Sequence, residues 1–360
     1  VAIPMRTIVP ALLAGNGVVL KPSEVTPASG RWLVEKLRAA LGPIVGIVEG
    51  DGSAGAALIA AGPDMVIFTG STATGRKVAV ACAERGIVCD CELGGKDCAV
   101  VLEDADVERA AAGIAWGILT NAGQNCAAIE RVAVHAAIAE RFVPALVKRL
   151  EAAAADVPEL TTTQQKAIVT RQISEALERG GRLLTGGLPE GDAAIPPTLL
   201  TDVPRDASAW RDESFGPVAV LEVLADDDAL IAAANDSSYD LGLSVWSANE
   251  KRALVLAGQV RSGMAWVNNH AFTGSVPDLP WTGVSGSGTG VTNSPEALLH
   301  MTRPRLLVVD GYQRIEPWWY PYGESMIGLM HAVIGRQRSG GLGATLGTLK
   351  ALKRRNKDLS

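Results

Sequence analysis

The stretch "NAGQNCAAIERVAV" (121–134) sets a polar, glycine-containing turn directly against an apolar run, and the helical pattern "AIAERFVPALVKRLEAAAA" (137–155) follows it. Strand then long helix is the unit from which parallel sheets are built, because two parallel strands need a crossover of a dozen or more residues. The turn also carries Cys126. A thiol on a loop at an element boundary can be reached by substrate and polarised by backbone N–H groups. Unpaired cysteine is equally a small buried hydrophobe, so from this stretch alone nucleophile and core filler both stay open.

The same alternation runs through the chain. "GVVLK" (17–21), "IVGIVE" (44–49), "MVIF" (65–68) and "GIVCDCE" (86–92) read as strands, with helical patterns at 28–41, 53–62 and 72–85 between them. This predicts βαβ units and a parallel sheet covered on both faces. From about Lys96 a second alternation begins, with strands at 98–102 and 130–135 and helices at 105–123 and 137–155. The fold class expected is α/β. Residues near 156–198 are looser and rich in Gly and Pro ("LLTGGLPEGDAAIPP"), and no internal repeat is found.

A chain of 360 residues has room for roughly two domains and a large core. Its formal charge of −6 argues against non-specific nucleic-acid binding by the body. Seven of the 33 Lys/Arg but only one of the 39 Asp/Glu lie in residues 336–360, which makes a basic tail on an acidic body. The five cysteines form no C-x-x-C pair and have no histidine among them, so no zinc set is expected. An odd count with no leader reads as reduced thiols in the cytoplasm. No apolar run approaches the length of a membrane span.

Upstream of the cysteine, "CDCELGGKDCAV" (89–100) puts Glu92 where an apolar strand gives way to Gly94 and Gly95. Such a carboxylate can be approached closely by a ligand, or can be an ordinary solvated strand-end charge. In "FTGSTATG" (68–75), Gly70 and Gly75 bracket the start of a helix, where N–H groups can face a pyrophosphate; alone this is a common tight turn, and it is not a Walker sequence.

With "VLKPSE" (19–24) added, these motifs resemble the NAD(P)-dependent aldehyde dehydrogenase superfamily, in family order and with its usual Glu92-to-Cys126 spacing, from Val1 to about Gly290. The resemblance implies a partial Rossmann-type cofactor domain at 1–93, an α/β catalytic domain at 94–300, and an oligomerisation strand ("RPRLLVVD", 303–310) with a basic tail at 301–360. It implies oxidation of an aldehyde to the acid with NAD, NADP being the alternative. Cys126 would be the nucleophile and Glu92 the base that activates water. Lys21 and Glu24 are assigned to the adenosine ribose, and Glu24 would repel a 2′-phosphate. Gly70, Ser71 and Gly75 are assigned to the pyrophosphate, Leu93 and Gly94 to the nicotinamide amide, Glu213 to the nicotinamide ribose, and Phe215 to the space beside its ring. Asn268 and "PWTGVSGSG" match positions that shape the site, and His270 reads as a pocket or loop residue.

In relatives an asparagine that helps hold the oxyanion falls just before the position of Val1, so the chain is expected to lack it; loss of one such donor costs about 10²–10³ in rate. Two rivals follow: a truncated, non-catalytic fragment, and a CoA-acylating relative, against which Glu92 argues. The expected partners are a small-molecule aldehyde and further copies of the chain. "PWWYPYGESMIGLMHAVIG" (317–335) precedes the basic end. Packing against the body or a partner subunit is the preferred reading of this tail, with peripheral contact at a membrane surface as the alternative. The tail and a shortened stretch before "ESFGPV" (213–218) resemble the branch acting on medium or long aliphatic and aromatic aldehydes.

Overall fold

The computed structural model describes residues 1–191, 193–311 and 315–359; residue 192 of the loose stretch and 312–314 and 360 of the tail lie outside the described residues. A seven-stranded sheet organises the body. Its strands lie in the order Met264–Val267, Gly242–Trp246, Asp97–Val101, Ile129–His135, Val218–Leu224, Thr198–Thr201 and Arg182–Thr185. All neighbours are parallel except the last pair, which is antiparallel. The α/β class expected from the sequence is the class observed.

Alternation along the central strands assigns each face. Ala99, Val101, Val132 and Val134 point into one core with Ile114, Ile118, Phe142 and Leu146, beneath helices Val107–Leu119 and Ala136–Ala152. Cys98, Val100, Leu243 and Val245 point the other way, against Leu230, Ala234, Ala253 and Leu256 of helices Asp227–Asn235 and Glu250–Ala257. A strand buried on both faces reads as a continuous apolar run, as Cys98–Leu102 does. The helix starts are fixed by side-chain acceptors: Asp106 takes the N–H of Arg109, Asp226 that of Ala229 and Asn249 that of Arg252.

The first ninety residues form the expected strands but not one sheet. Val18–Leu20 pairs in parallel with Val45–Ile47, and Met65–Thr69 pairs in parallel with Val88–Glu92. The two pairs belong to separate sheets, and no described strand bridges them. Apart from Val45, Cys91 and Glu92, the side chains of these strands are partly buried or exposed, in contrast to the sheet covered on both faces that the pattern predicts. Strands of three residues offer too few ladder bonds and too little apolar area to join without an intervening strand. On its other edge, Val88–Glu92 takes Gly288–Thr289 as an antiparallel partner.

Arg303–Asp310, expected to be a strand, is not one. Its residues are not in strand conformation, and Leu306, Leu307, Val308 and Val309 are exposed. A strand exists only through pairing, so its apolar pattern alone does not make one. The chain divides into two compact units at Arg303 and Pro304. The second is a helical hairpin, Glu324–Ser339 and Gly341–Leu359.

One buried ion pair ties the sheet to a distant turn. Lys96, just ahead of its strand, donates from Nζ to Glu130 Oε2 at 2.6 Å, and both side chains are 1% exposed. The Glu130 carboxylate also accepts the backbone N–H groups of Ser214, at 2.8 and 3.0 Å, and of Phe215, at 2.9 Å. Next to it Arg131, also buried, donates to the carbonyls of Lys96, Ala233 and Ala234 and so closes the end of helix Asp227–Asn235. Removing one member of a buried pair leaves the other charge uncompensated. Glu130→Ala is therefore expected to lower unfolding free energy by about 3–5 kcal/mol in urea titration; a loss below about 1 kcal/mol would mean that the pair is solvated in solution.

Candidate active site

Close backbone approaches bring three separated stretches together. Strand Val88–Glu92 ends at Glu92 and runs into Leu93, Gly94 and Gly95. A Cβ on Gly95 would lie 2.1 Å from the carbonyl oxygen of Cys126, and one on Gly94 would lie 2.3 Å from the Glu213 carboxylate. At Gly95, where the neighbour is backbone, only glycine permits the contact; at Gly94 a side chain would have to displace the Glu213 carboxylate. The Gly95 N–H donates to Glu213 Oε1 at 3.2 Å.

The loop that carries Cys126 is shaped by left-handed backbone. Asn121, Ala122 and Gly123 have φ of 56°, 56° and 71°. A Cβ on Gly123 would lie 2.0 Å from the carbonyl oxygen of Gly216, so the loop rests directly on the Gly216–Pro217 turn. Asn125 Oδ1 accepts the Ala127 N–H at 3.1 Å and lies 3.7 Å from Cys126 Sγ. Phe215 leaves the same turn with φ of 49° and is only half-buried, which is not the core position a lone Phe before Gly-Pro suggests.

The cluster is kept neutral by burial. Cys126 retains some solvent access, yet its dense surroundings push the thiol up to about 12, with Asp97, Glu92 and Glu213 adding to the rise. Glu92 is buried rather than a solvated strand end, and one of its oxygens has no hydrogen-bond partner among the described residues. Burial raises its carboxyl to about 8, Asp90 adds to this, and Arg6 opposes it. Glu213 and Asp97 are likewise pushed up to about 8, chiefly by burial. His270 is lowered to about 4 by burial; its Nε2 meets the Ala127 carbonyl at 2.6 Å, and its ring packs edge-on against Trp266. It is thus a neutral prop under the residue after Cys126.

The other residues singled out from sequence have their own local contacts. Gly70 donates its N–H to the Glu92 carbonyl at 3.2 Å, and Gly75 packs so closely on Leu93 that a Cβ would lie 2.3 Å from the leucine side chain. Ser71 caps helix Thr72–Ala83 by accepting the Thr74 N–H. The Gly75 N–H is itself taken by the Ser71 carbonyl, so the open amides of this helix start fall earlier in its first turn. The Leu93 N–H is taken by Ser287, within the "PWTGVSGSG" loop. Lys21 and Glu24 form an ion pair of 3.3 Å on the first strand pair, and Glu24 is held low by its own backbone N–H and then by Lys21. Asn268 has its side chain turned to Ser247, whose N–H and carbonyl it binds.

Three participants escaped the sequence reading. Arg6 stacks on Trp281, 4.8 Å from the ring centroid, donates to the Gly274 carbonyl, and favours the charged forms of both Glu92 and Cys126. Glu130 and Asp97 were hidden inside apolar strands. A charge within a run that reads as fully buried was the available signal, since such charges need a partner.

The model of the aldehyde dehydrogenase family matches residues 1–307. A 4,4'-diapolycopene aldehyde oxidase from Methylomonas is 37% identical over 326 residues, covering 88% of this chain and 61% of the relative. The chain spans about three fifths of the length of the curated relatives it matches. Among solved structures, a putative aldehyde dehydrogenase, PutA, from Anabaena variabilis superposes with a TM-score of 0.83 at 33% identity, covering 88% of this chain and 70% of that one. A Mycobacterium tuberculosis aldehyde dehydrogenase complexed with NAD+ gives 0.80 at 34% identity, covering 86% and 66%.

The state of Glu92 can be read from stability. Its folded pKa, about 8, lies above the ordinary 4.5, so its contribution is intact below 4.5 and is lost as pH rises through about 8. Glu92→Gln cannot ionise. Its melting temperature should match the parent's near pH 4.5 and exceed it well above pH 8, by calorimetry at both. A difference independent of pH would place an ionised, solvated carboxylate at this position.

Proposed function

The chain belongs to the aldehyde dehydrogenase family, and from that premise we propose that its protein oxidises an aldehyde to the carboxylic acid, with NAD as acceptor and NADP as the alternative. The observation that carries this reading is the two-glycine turn, which passes under the Cys126 carbonyl and against the Glu213 carboxylate directly after Glu92. We further propose residues 1–93 as the cofactor half, 94–300 as the catalytic domain and 301–360 as the oligomerisation segment and tail. The exposed Leu306–Val309 run suits pairing with a strand of another copy.

In this reading the Cys126 sulfur attacks the aldehyde carbon, forming a C–S bond while the thiol proton passes to Glu92. The carbonyl oxygen becomes an oxyanion facing the Cys126 N–H. NAD supplies the hydride acceptor that turns this adduct into a thioester. Once Glu92 has passed that first proton to solvent, it takes one from water, whose oxygen attacks the thioester carbon; the C–S bond breaks, the acid is released, and the proton held by Glu92 returns to the Cys126 sulfur. A buried base with an unpartnered oxygen supports hydrolysis over transfer to CoA. Arg6 assists by favouring thiolate and carboxylate alike.

The residues present suit a dinucleotide. The capped helix start at Ser71, with Gly70 and Gly75 beside it, is electropositive and suits a pyrophosphate. Lys21 and Glu24 would take the adenosine ribose, Leu93 and Gly94 the nicotinamide amide, Glu213 its ribose, and the half-buried Phe215 ring would flank it. The lining gives no further account of the aldehyde; the likeness to the medium- and long-chain branch is the proposal here.

NADH formation with a panel of aldehydes is the test. Cys126→Ala is expected to abolish it. The parent rate should rise as pH passes about 8, where Glu92 becomes able to accept a proton. Glu92→Gln should lose that rise and about 10²–10⁴ in rate. Turnover that survives Cys126→Ala would overturn the mechanism. Folded protein that binds NAD without Cys126-dependent turnover would favour the non-catalytic fragment.

A further inference from the structure

The unit after Pro304 has a face that neither its own packing nor the proposed reaction uses. Helices Glu324–Ser339 and Gly341–Leu359 are joined through Gly340 and Gly341, both with positive φ, and run antiparallel, with Thr348 Oγ1 donating to the Ala332 carbonyl at 3.1 Å. Ser325, Leu329 and Arg355 are buried within it. Arg355 donates to the carbonyls of Pro317 and Trp319 and so fixes the aromatic turn "PWWY".

Two apolar stripes stay uncovered. On the first helix Ile327, Met330 and Ile334 recur at i, i+3 and i+7; on the second, Leu342, Leu346 and Leu349 recur at i, i+4 and i+7. All six are exposed, Leu342 at 84%. Each stripe lies off the side of its helix that packs within the hairpin. The second stripe continues into Lys353, with Lys350 beside it, both exposed. Trp318, Trp319, Tyr320 and Tyr322 are exposed as well.

We propose that this hairpin lies on an anionic membrane surface, with the leucine and isoleucine stripes in the headgroup–acyl boundary and Lys350 and Lys353 on lipid phosphates. Charge selects the occupant. A protein partner that covered the leucines would also have to bury the lysines of the same stripe, whereas a bilayer accepts both, because lysine stems lie along the apolar zone while their heads reach phosphate. Exposed Trp and Tyr suit the same boundary. No described helix is long and apolar enough to cross a membrane, so the hairpin would lie flat rather than insert.

Co-sedimentation of the full chain with phosphatidylcholine vesicles, with and without phosphatidylglycerol, tests this. Binding is expected on the phosphatidylglycerol vesicles only, and to weaken as salt is raised. Lys353→Gln and Lys350→Gln should each lower partitioning about fivefold, the worth of one basic side chain at an anionic surface. Leu346→Ser should lower it further, with the helical circular dichroism unchanged because the position is exposed. Equal binding to neutral vesicles, or none to either, would overturn the proposal. So would self-association that Leu346→Ser abolishes, which would make the face an interface between copies.

Discussion

The buried contact between Lys96 and Glu130 is the constraint on which the site depends. Its energetic yield is small, because desolvating two charges offsets most of their attraction. Its value is positional. Lys96 follows the two glycines that pass beneath Cys126, and Glu130 holds the amides of Ser214 and Phe215, adjacent to the Glu213 carboxylate that leans on Gly94. The ion pair therefore ties together two loops that are also joined by the Gly95 N–H donating to the Glu213 carboxylate and by Lys96 donating to Ser214 Oγ.

Around it, the protein avoids charge. Burial keeps three carboxyls and a thiol protonated near neutrality and keeps His270 unprotonated. This disfavours the ionised states that nucleophilic chemistry needs. Arg6, stacked on the indole face of Trp281, works against that bias.

What could be read from the sequence was local. Cys126 in its polar turn, Glu92 before two glycines and the Gly70–Gly75 helix start are each defined by a few neighbouring residues; in the structure Gly70 donates to the Glu92 carbonyl and Gly95 meets the Cys126 carbonyl. The Lys96–Glu130 pair, the Gly242 N–H donated to Asp97 and the stacking of Arg6 on Trp281 join residues far apart in sequence, and no periodicity encodes them. Two element-level expectations failed for the same reason. Arg303–Asp310 has the alternation of a strand, and the first four strands have the spacing of one sheet, but hydrogen-bonded pairing depends on a partner, which local pattern does not supply.

The contact of Gly123 with Gly216 has a mechanical consequence. Two backbones meet there with no side chain between them, and packed backbone transmits displacement with almost no slack. A molecule that seats against Phe215 or Glu213 therefore pushes on the loop that presents Cys126. A shift of the turn at Gly216 is therefore also a shift of the loop that carries Cys126.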